Sequence, residues 1–236
     1  MNIFTKVEFH CHTANSFDCD IPLLKRIEKY RDNGFTHLAI TDHDVVLSKA
    51  DRALINSENT LIKIIPGIEV STHIGHIILL GCNHRPFINS LFYLVFLSKV
   101  FDYKIYVPHP CRKGTGLLYE YVVNKIPTWY IAWFFQYVSY VEVWNPRDTL
   151  KDPLEVDLSI WRSLESLMWT VASDSHFDDD TYDGGCPMVG LAEDDEYVKR
   201  FFSQKIKLSE VKIPLTLRAF LRYIKSALRY TYRRYA

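Results

Sequence analysis

Val7-Glu8-Phe9-His10-Cys11-His12-Thr13 decides how this chain of 236 residues is read. In an extended segment, side chains two apart share a side. His10 and His12 therefore point one way and Cys11 the other. Two imidazoles on one side form a chelating pair for a borderline divalent cation. A lone His-x-His also arises by accident. It gains meaning here because later strand-like runs end in another His, Asp or Glu.

Working outward, residues 3–10 predict a first strand and residues 22–33 a helix, with Leu23, Leu24, Ile27 and Tyr30 at helical spacing before Gly34. Residues 37–41 read as a short apolar strand that ends at Asp42-His43-Asp44, and residues 46–56 as a helix. A third strand over 61–68, interrupted by Pro66-Gly67, delivers Glu69, and a fourth covers 76–81. A helix over 89–102 leads to a strand at 104–107 and then to Pro108-His109-Pro110. An amphipathic segment over 128–136 precedes a strand at 140–144. A helix over 154–167 precedes a strand at 169–172, which ends at Ser173-Asp174-Ser175-His176, and a last strand is expected at 188–191.

Strands that alternate with helices and are continuous apolar runs mark a buried parallel sheet with helical crossovers. About seven such units favour a barrel over an open sheet, and in βα barrels the chemistry sits at the C-terminal strand ends. That is where the His, Asp and Glu residues fall.

Composition narrows the partners. Lys plus Arg number 28 and Asp plus Glu 28, so no global charge bias points to nucleic acid or membrane. The first residues lack the apolar run of a signal peptide. No stretch reaches the roughly 18 apolar residues of a membrane span; residues 88–100 and 129–140 come partway and read as buried helices. Five cysteines without a disulfide-framework spacing read as reduced thiols in a cytoplasmic protein. No repeat or linker divides residues 1–236, which are expected to form a single domain.

Taken together, the motifs resemble the PHP family, the polymerase and histidinol phosphatase domain. His10-Cys11-His12-Thr13 is similar to its first motif and Asp18 to the acidic residue that follows. Thr41-Asp42-His43-Asp44 is similar to its second. Gly67-Ile68-Glu69-Val70-Ser71 resembles the segment with the bridging glutamate, and the strand from His76 the one after it. Pro108-His109-Pro110 and Ser173-Asp174-Ser175-His176 complete the set in the family's order. The resemblance implies a distorted (β/α)7 TIM-like barrel and a phosphoesterase site with two to three divalent cations. One would take His10, His12, Glu69 and Asp174; a second would share Glu69 and take His76 and His109; a third would take Asp18, His43 and His176. Glu8 stands where many members have Asp. Asp20 is the fallback for Asp18, and His73 for His76.

Mixed imidazole and carboxylate ligands suit Mn²⁺, Zn²⁺ or Fe²⁺. Thiolate ligation by Cys11, Cys19 or Cys111 is the alternative. The inferred reaction is in-line attack of metal-activated hydroxide on the phosphomonoester of a small metabolite or nucleotide. Glu69, His109, Asp174 and His176 would serve it through bound metals, and Arg112, Lys113 and Arg147 are candidates to receive the phosphate. Competing readings are a nuclease trimming nucleic-acid ends, a phosphotyrosine phosphatase, or a non-catalytic metal-dependent regulatory module. The nuclease reading draws on residues 214–236. There Arg218, Arg222, Lys225, Arg229 and Arg233 recur every three or four positions opposite Leu217, Phe220, Leu221, Ile224 and Leu228. Such a basic amphipathic helix is either the last barrel helix or a contact for RNA or lipid headgroups.

Overall fold

In a computed structural model the structure describes residues 5–58, 61–144, 168–176 and 186–188. The expected helices over 154–167 and 214–236, and Arg147, lie outside the described residues. The elements run β1 (Thr5–Glu8), α1 (Leu23–Asp32), β2 (His37–Ile40), α2 (Lys49–Ser57), β3 (Lys63–Thr72) and β4 (Gly75–Leu80). They continue with α3 (Leu91–Phe101), β5 (Lys104–Val107), α4 (Leu117–Val123), α5 (Thr128–Phe135), β6 (Val138–Trp144), β7 (Met168–Val171) and β8 (Cys186–Met188).

Local chemistry sets the helix limits. The side chain of Ser48 accepts from the Asp51 N–H while the Asp51 carboxylate accepts from the Ser48 N–H, a capping box that starts α2. Ser90 caps α3 by accepting from the Tyr93 N–H, and Asp102 ends it in the left-handed region at φ 57. In α1, Lys29 and Arg31 occupy the last turn, where the helix dipole favours cations.

One sheet holds the strands in the order β7-β6-β5-β4-β3-β2-β1-β8. The pairs β1–β2, β2–β3, β5–β6 and β6–β7 are parallel. The expected all-parallel sheet is corrected at β4, which is antiparallel to both β3 and β5, and at β8, antiparallel to β1. Between β3 and β4 the cause is connection length. Two residues, His73 and Ile74, join β3 to β4, whereas a parallel crossover needs a dozen or more. Pro66 and Gly67 do not break β3, which runs on to Thr72. Helix α4 adds to the expected elements, and β8 covers Cys186–Met188, while residues 189–191 of the expected last strand lie outside the described residues.

The sheet curls. Phe9, just after β1, stacks on Tyr106 of β5 and Tyr140 of β6, with ring centroids 5.9 and 5.5 Å away. With Val7, Ala39, Ile65, Ile78 and Leu80 these rings form one buried cluster fed by six strands or their continuations. Beyond β1 and β7 the segments that follow these strands meet. Cys11 and Ser175 form a parallel bridge, the His12 N–H donates to Ser175 at 3.1 Å, and the Asp174 N–H donates to His10 at 2.9 Å. Residues 10–12 and 173–176 are thereby held side by side over the apolar cluster. Two further buried clusters lie elsewhere, one beneath α3, α4 and α5 and one beneath α1.

Candidate metal centre

The ligand-type residues converge on one rim. His10 and His12 follow β1, His43 follows β2, Glu69 lies within β3, His109 follows β5, and Asp174 and His176 follow β7. His76 comes from the start of β4, because that strand is reversed. The backbone is committed at two of these positions: His109 and Asp174 adopt φ 25 and φ 48. His and Asp are among the residue types enriched in that region, and such conformations concentrate at functional sites.

Three overlapping groups of side chains bring ligand atoms within 4.8 Å of one another: His10, His12, Glu69 and Asp174; His12, Asp18, His43 and His176; and His43, Glu69 and His76. In the first, Nε2 of His10 lies 3.1 Å from Nε2 of His12 and 3.0 Å from Oε2 of Glu69. Nε2 of His12 lies 3.2 Å from the same oxygen, and both nitrogens lie 3.3 Å from Oδ1 of Asp174. Ligands at zinc distances in a tetrahedron are about 3.3 Å apart, and octahedral neighbours lie somewhat closer. The donor set therefore fits a divalent cation in type and spacing.

The two oxygens of Glu69 serve different groups. Oε2 faces His10 and His12, while Oε1 lies 2.8 Å from Nδ1 of His76 and 3.1 Å from Nε2 of His109. His43 also looks both ways, with Nδ1 3.4 Å from Oε2 of Glu69 and Nε2 3.4 Å from Oδ2 of Asp18. The Asp18 carboxylate reaches Nε2 of His176 at 2.9 Å. Asp18, not Asp20, enters the cluster, and His76 enters it while His73 is exposed.

Electrostatics agree with a site for positive charge. Burial alone would raise Glu69 and Asp174, but His10 and the other surrounding imidazoles outweigh it and hold both carboxyls well below their ordinary range. Burial would lower His10, but Asp174, Glu69 and Glu142 together raise it well above its ordinary value. The field that favours a proton on Nε2 equally favours a cation there.

Cys11 faces away, as strand alternation requires, and its thiol donates to the Ala39 carbonyl at 3.2 Å. Arg112 does not stand free at the rim: its guanidinium pairs with Oδ2 of Asp174. Lys113 is exposed.

Three supporting residues, Arg26, Asp42 and Glu142, carry no role in the sequence reading. Arg26 is fully buried and donates to the His12 carbonyl, to the Ser175 hydroxyl and to the Ser175 carbonyl. Asp42 accepts from the N–H and hydroxyl of Thr13. Glu142, with Tyr106 beside it, accepts from His10. The available signal was a charged residue inside an apolar run, Tyr140-Val141-Glu142-Val143-Trp144. Glu8, noted for its departure from Asp, is buried and accepts from the His10 and Ser173 N–H groups. Burial pushes its carboxyl up to about 7 against those two hydrogen bonds.

Fold and site together define an α/β protein with a histidine–carboxylate cluster of metal-ligand type. Residues 8–121 match the family model of the PHP domain, the family that the motifs resemble. The fold is similar to a Bifidobacterium adolescentis protein assigned as a metal-dependent phosphoesterase, at 14% identity and TM-score 0.54 over 89% of this chain and 99% of that one. It is similar to a two-domain Bacteroides vulgatus protein containing an assigned PHP-like metal-dependent phosphoesterase, at 17% identity and TM-score 0.50, covering 74% of this chain and 53% of that one. It is also similar to the lesion-specific endonuclease Q of Pyrococcus furiosus, at 14% identity and TM-score 0.51, covering 73% of this chain and 48% of that one. The chain thus spans about half the length of the latter two. No curated protein matches the sequence. Among the described residues no helix is long and apolar enough to cross a membrane.

Proposed function

We propose that the protein is a metal-dependent phosphoesterase that hydrolyses a phosphomonoester of a small metabolite or nucleotide. The observation that carries this reading is the shared glutamate: the two oxygens of Glu69 face different pairs of imidazoles. In this reading His10, His12, Glu69 and Asp174 hold one cation, Glu69, His76 and His109 a second, and Asp18, His43 and His176 a third. When bound, Mn²⁺, Zn²⁺ or Fe²⁺ would lower the pKa of a water and offset the charge that builds on phosphate oxygens. Glu69 keeps the first two groups at a fixed separation, and the left-handed turns at His109 and Asp174 aim their side chains at that centre. Arg112, held against Asp174, is the candidate cation to receive a phosphate oxygen. We also read the curled sheet as a distorted seven-strand barrel, supported by the contact of Cys11 with Ser175.

A phosphatase screen tests the reading. Nucleoside monophosphates, sugar phosphates, a phosphotyrosine peptide and end-phosphorylated oligonucleotides are supplied with each cation in turn. Turnover of a monoester that requires added cation and stops with chelator is expected. No turnover of any substrate with any cation contradicts the proposal.

A nuclease is the second reading, favoured by the likeness to endonuclease Q and by the basic stripe from Arg218 to Arg233. Binding of single strands would then weaken linearly in log–log with salt, at a slope of about −0.7 per phosphate contact. Salt-independent or undetectable binding removes it.

A further inference from the structure

We propose that Glu142 is a positioning residue for the metal centre. It fixes the tautomer and orientation of His10 and braces the turn that carries His109. The inference rests on the reading of His10 as a metal ligand.

Glu142 is wholly buried near the end of β6. Three donors converge on its carboxylate. Oε2 lies 2.9 Å from Nδ1 of His10 and accepts from the Tyr106 hydroxyl at 3.0 Å. Oε1 accepts from the His109 N–H at 3.2 Å. Tyr106 is itself fixed, since the Thr170 hydroxyl donates to its oxygen at 3.0 Å. Strands β5, β6 and β7 thus each contribute one member of a chain, Thr170 to Tyr106 to Glu142, that ends on His10. The pairings of β6 with both neighbours slip near these residues, between Ile105 and Tyr106 and between Glu142 and Trp144. Such irregularities re-aim side chains beside active sites.

An ionised carboxylate only accepts hydrogen bonds. Nδ1 of His10 must therefore carry the hydrogen, which leaves the lone pair of Nε2 directed at His12, Glu69 and Asp174. A carboxylate behind a ligating histidine also raises the basicity of its ligand nitrogen. The same carboxylate fixes the His109 N–H, so one buried group sets a ligand of the first cation and the approach of a ligand of the second.

The requirement for Glu is specific. A glutamine has one oxygen, and His10 and Tyr106 converge on one side of the group while His109 approaches the other. Whichever way the amide turns, its NH₂ faces at least one donor. Glu142→Gln should therefore hold the fold but weaken the site, in between wild type and Glu142→Ala.

The test is titration of metal-free protein with Zn²⁺ and with Mn²⁺, following Kd, for wild type, Glu142→Gln, Glu142→Ala and Tyr106→Phe. Melting of each metal-free variant is recorded alongside, and a long-range ¹H–¹⁵N spectrum reads the His10 tautomer. Loss of a carboxylate behind a metal-bound histidine typically costs 10–100-fold in affinity. Glu142→Gln is expected near the lower figure, Glu142→Ala near the higher, and Tyr106→Phe at a few-fold. In the Zn²⁺-loaded wild type His10 should carry its hydrogen on Nδ1 and leave Nε2 to the metal, and Glu142→Ala should lose that preference. If Glu142→Ala fails to fold, the other two variants decide. Wild-type affinity in both Glu142→Gln and Tyr106→Phe overturns the inference while leaving the metal site intact. A wild-type protein that binds neither cation overturns both.

Discussion

His43 and Glu69 face each other across a parallel bridge. The Glu69 N–H donates to the Asp42 carbonyl at 3.1 Å, and the Asp44 N–H donates to the Glu69 carbonyl at 2.8 Å. The backbone thus locks Glu69, whose two oxygens face different imidazoles, beside His43, which faces both Glu69 and Asp18. Glu69 is the proposed bridge, whereas Asp18 stands at one group and is a third exposed. Glu69→Gln should lower cation-dependent turnover by on the order of 100-fold or more, above the usual effect of a supporting residue, and Asp18→Asn by less. Steady-state kinetics at saturating metal measure both. An equal or larger loss in Asp18→Asn contradicts the bridging role.

Arg26 ties together the two segments that carry His10, His12 and Asp174 of the first group. Its guanidinium donates to His12 on one side and Ser175 on the other. Arg26→Met would leave several buried acceptors without this donor, each costing about 1–3 kcal/mol. A loss of at least about 3 kcal/mol in denaturant unfolding of metal-free protein is expected. A loss under about 1 kcal/mol would show that the tie is not needed.

Gly116 lies where a side chain has no room. A Cβ there would stand 2.5 Å from the Arg112 nitrogen and the Pro110 oxygen and 2.7 Å from the His109 oxygen. All three are backbone atoms, so the turn that carries His109 must shift. Gly116→Ala is expected to cost about 1–3 kcal/mol, as overpacking does, and to weaken metal binding. Wild-type unfolding and wild-type metal affinity together would contradict the account.

His37 lies away from the site and predicts an acid effect of its own. Burial first, then nearby Lys63, lowers its pKa from 6.5 to about 4. Between those values the unfolded chain takes up a proton that the native state does not. The unfolded state therefore binds more protons, and stability falls as pH falls from 6.5 towards 4. The melting temperature of His37→Gln should fall less than that of wild type between pH 7 and pH 5. Equal falls would show that His37 does not contribute.

Much of the site could be read before the fold. The spacing of His10 and His12 placed Cys11 on the opposite side, and its thiol does point to Ala39. Asp18 and His76 enter the cluster while Asp20 and His73 stay out. The reversal of β4 was legible too: seven positions separate Glu69 from His76, too few for a helical crossover. It was missed because an apolar run looks the same in either direction. Glu142 and Arg26 were obscure for a different reason. Their partners lie 132 and 149 positions away in sequence, so no local pattern reveals that a buried charge is satisfied.

Elemental analysis after reconstitution with Mn²⁺, Zn²⁺ or Fe²⁺ tests the central claim most directly, since it depends on no choice of substrate. The overlapping groups around Glu69 predict two to three divalent ions per chain, with the number falling in Glu69→Gln. Less than one ion per chain for every metal offered would contradict the account.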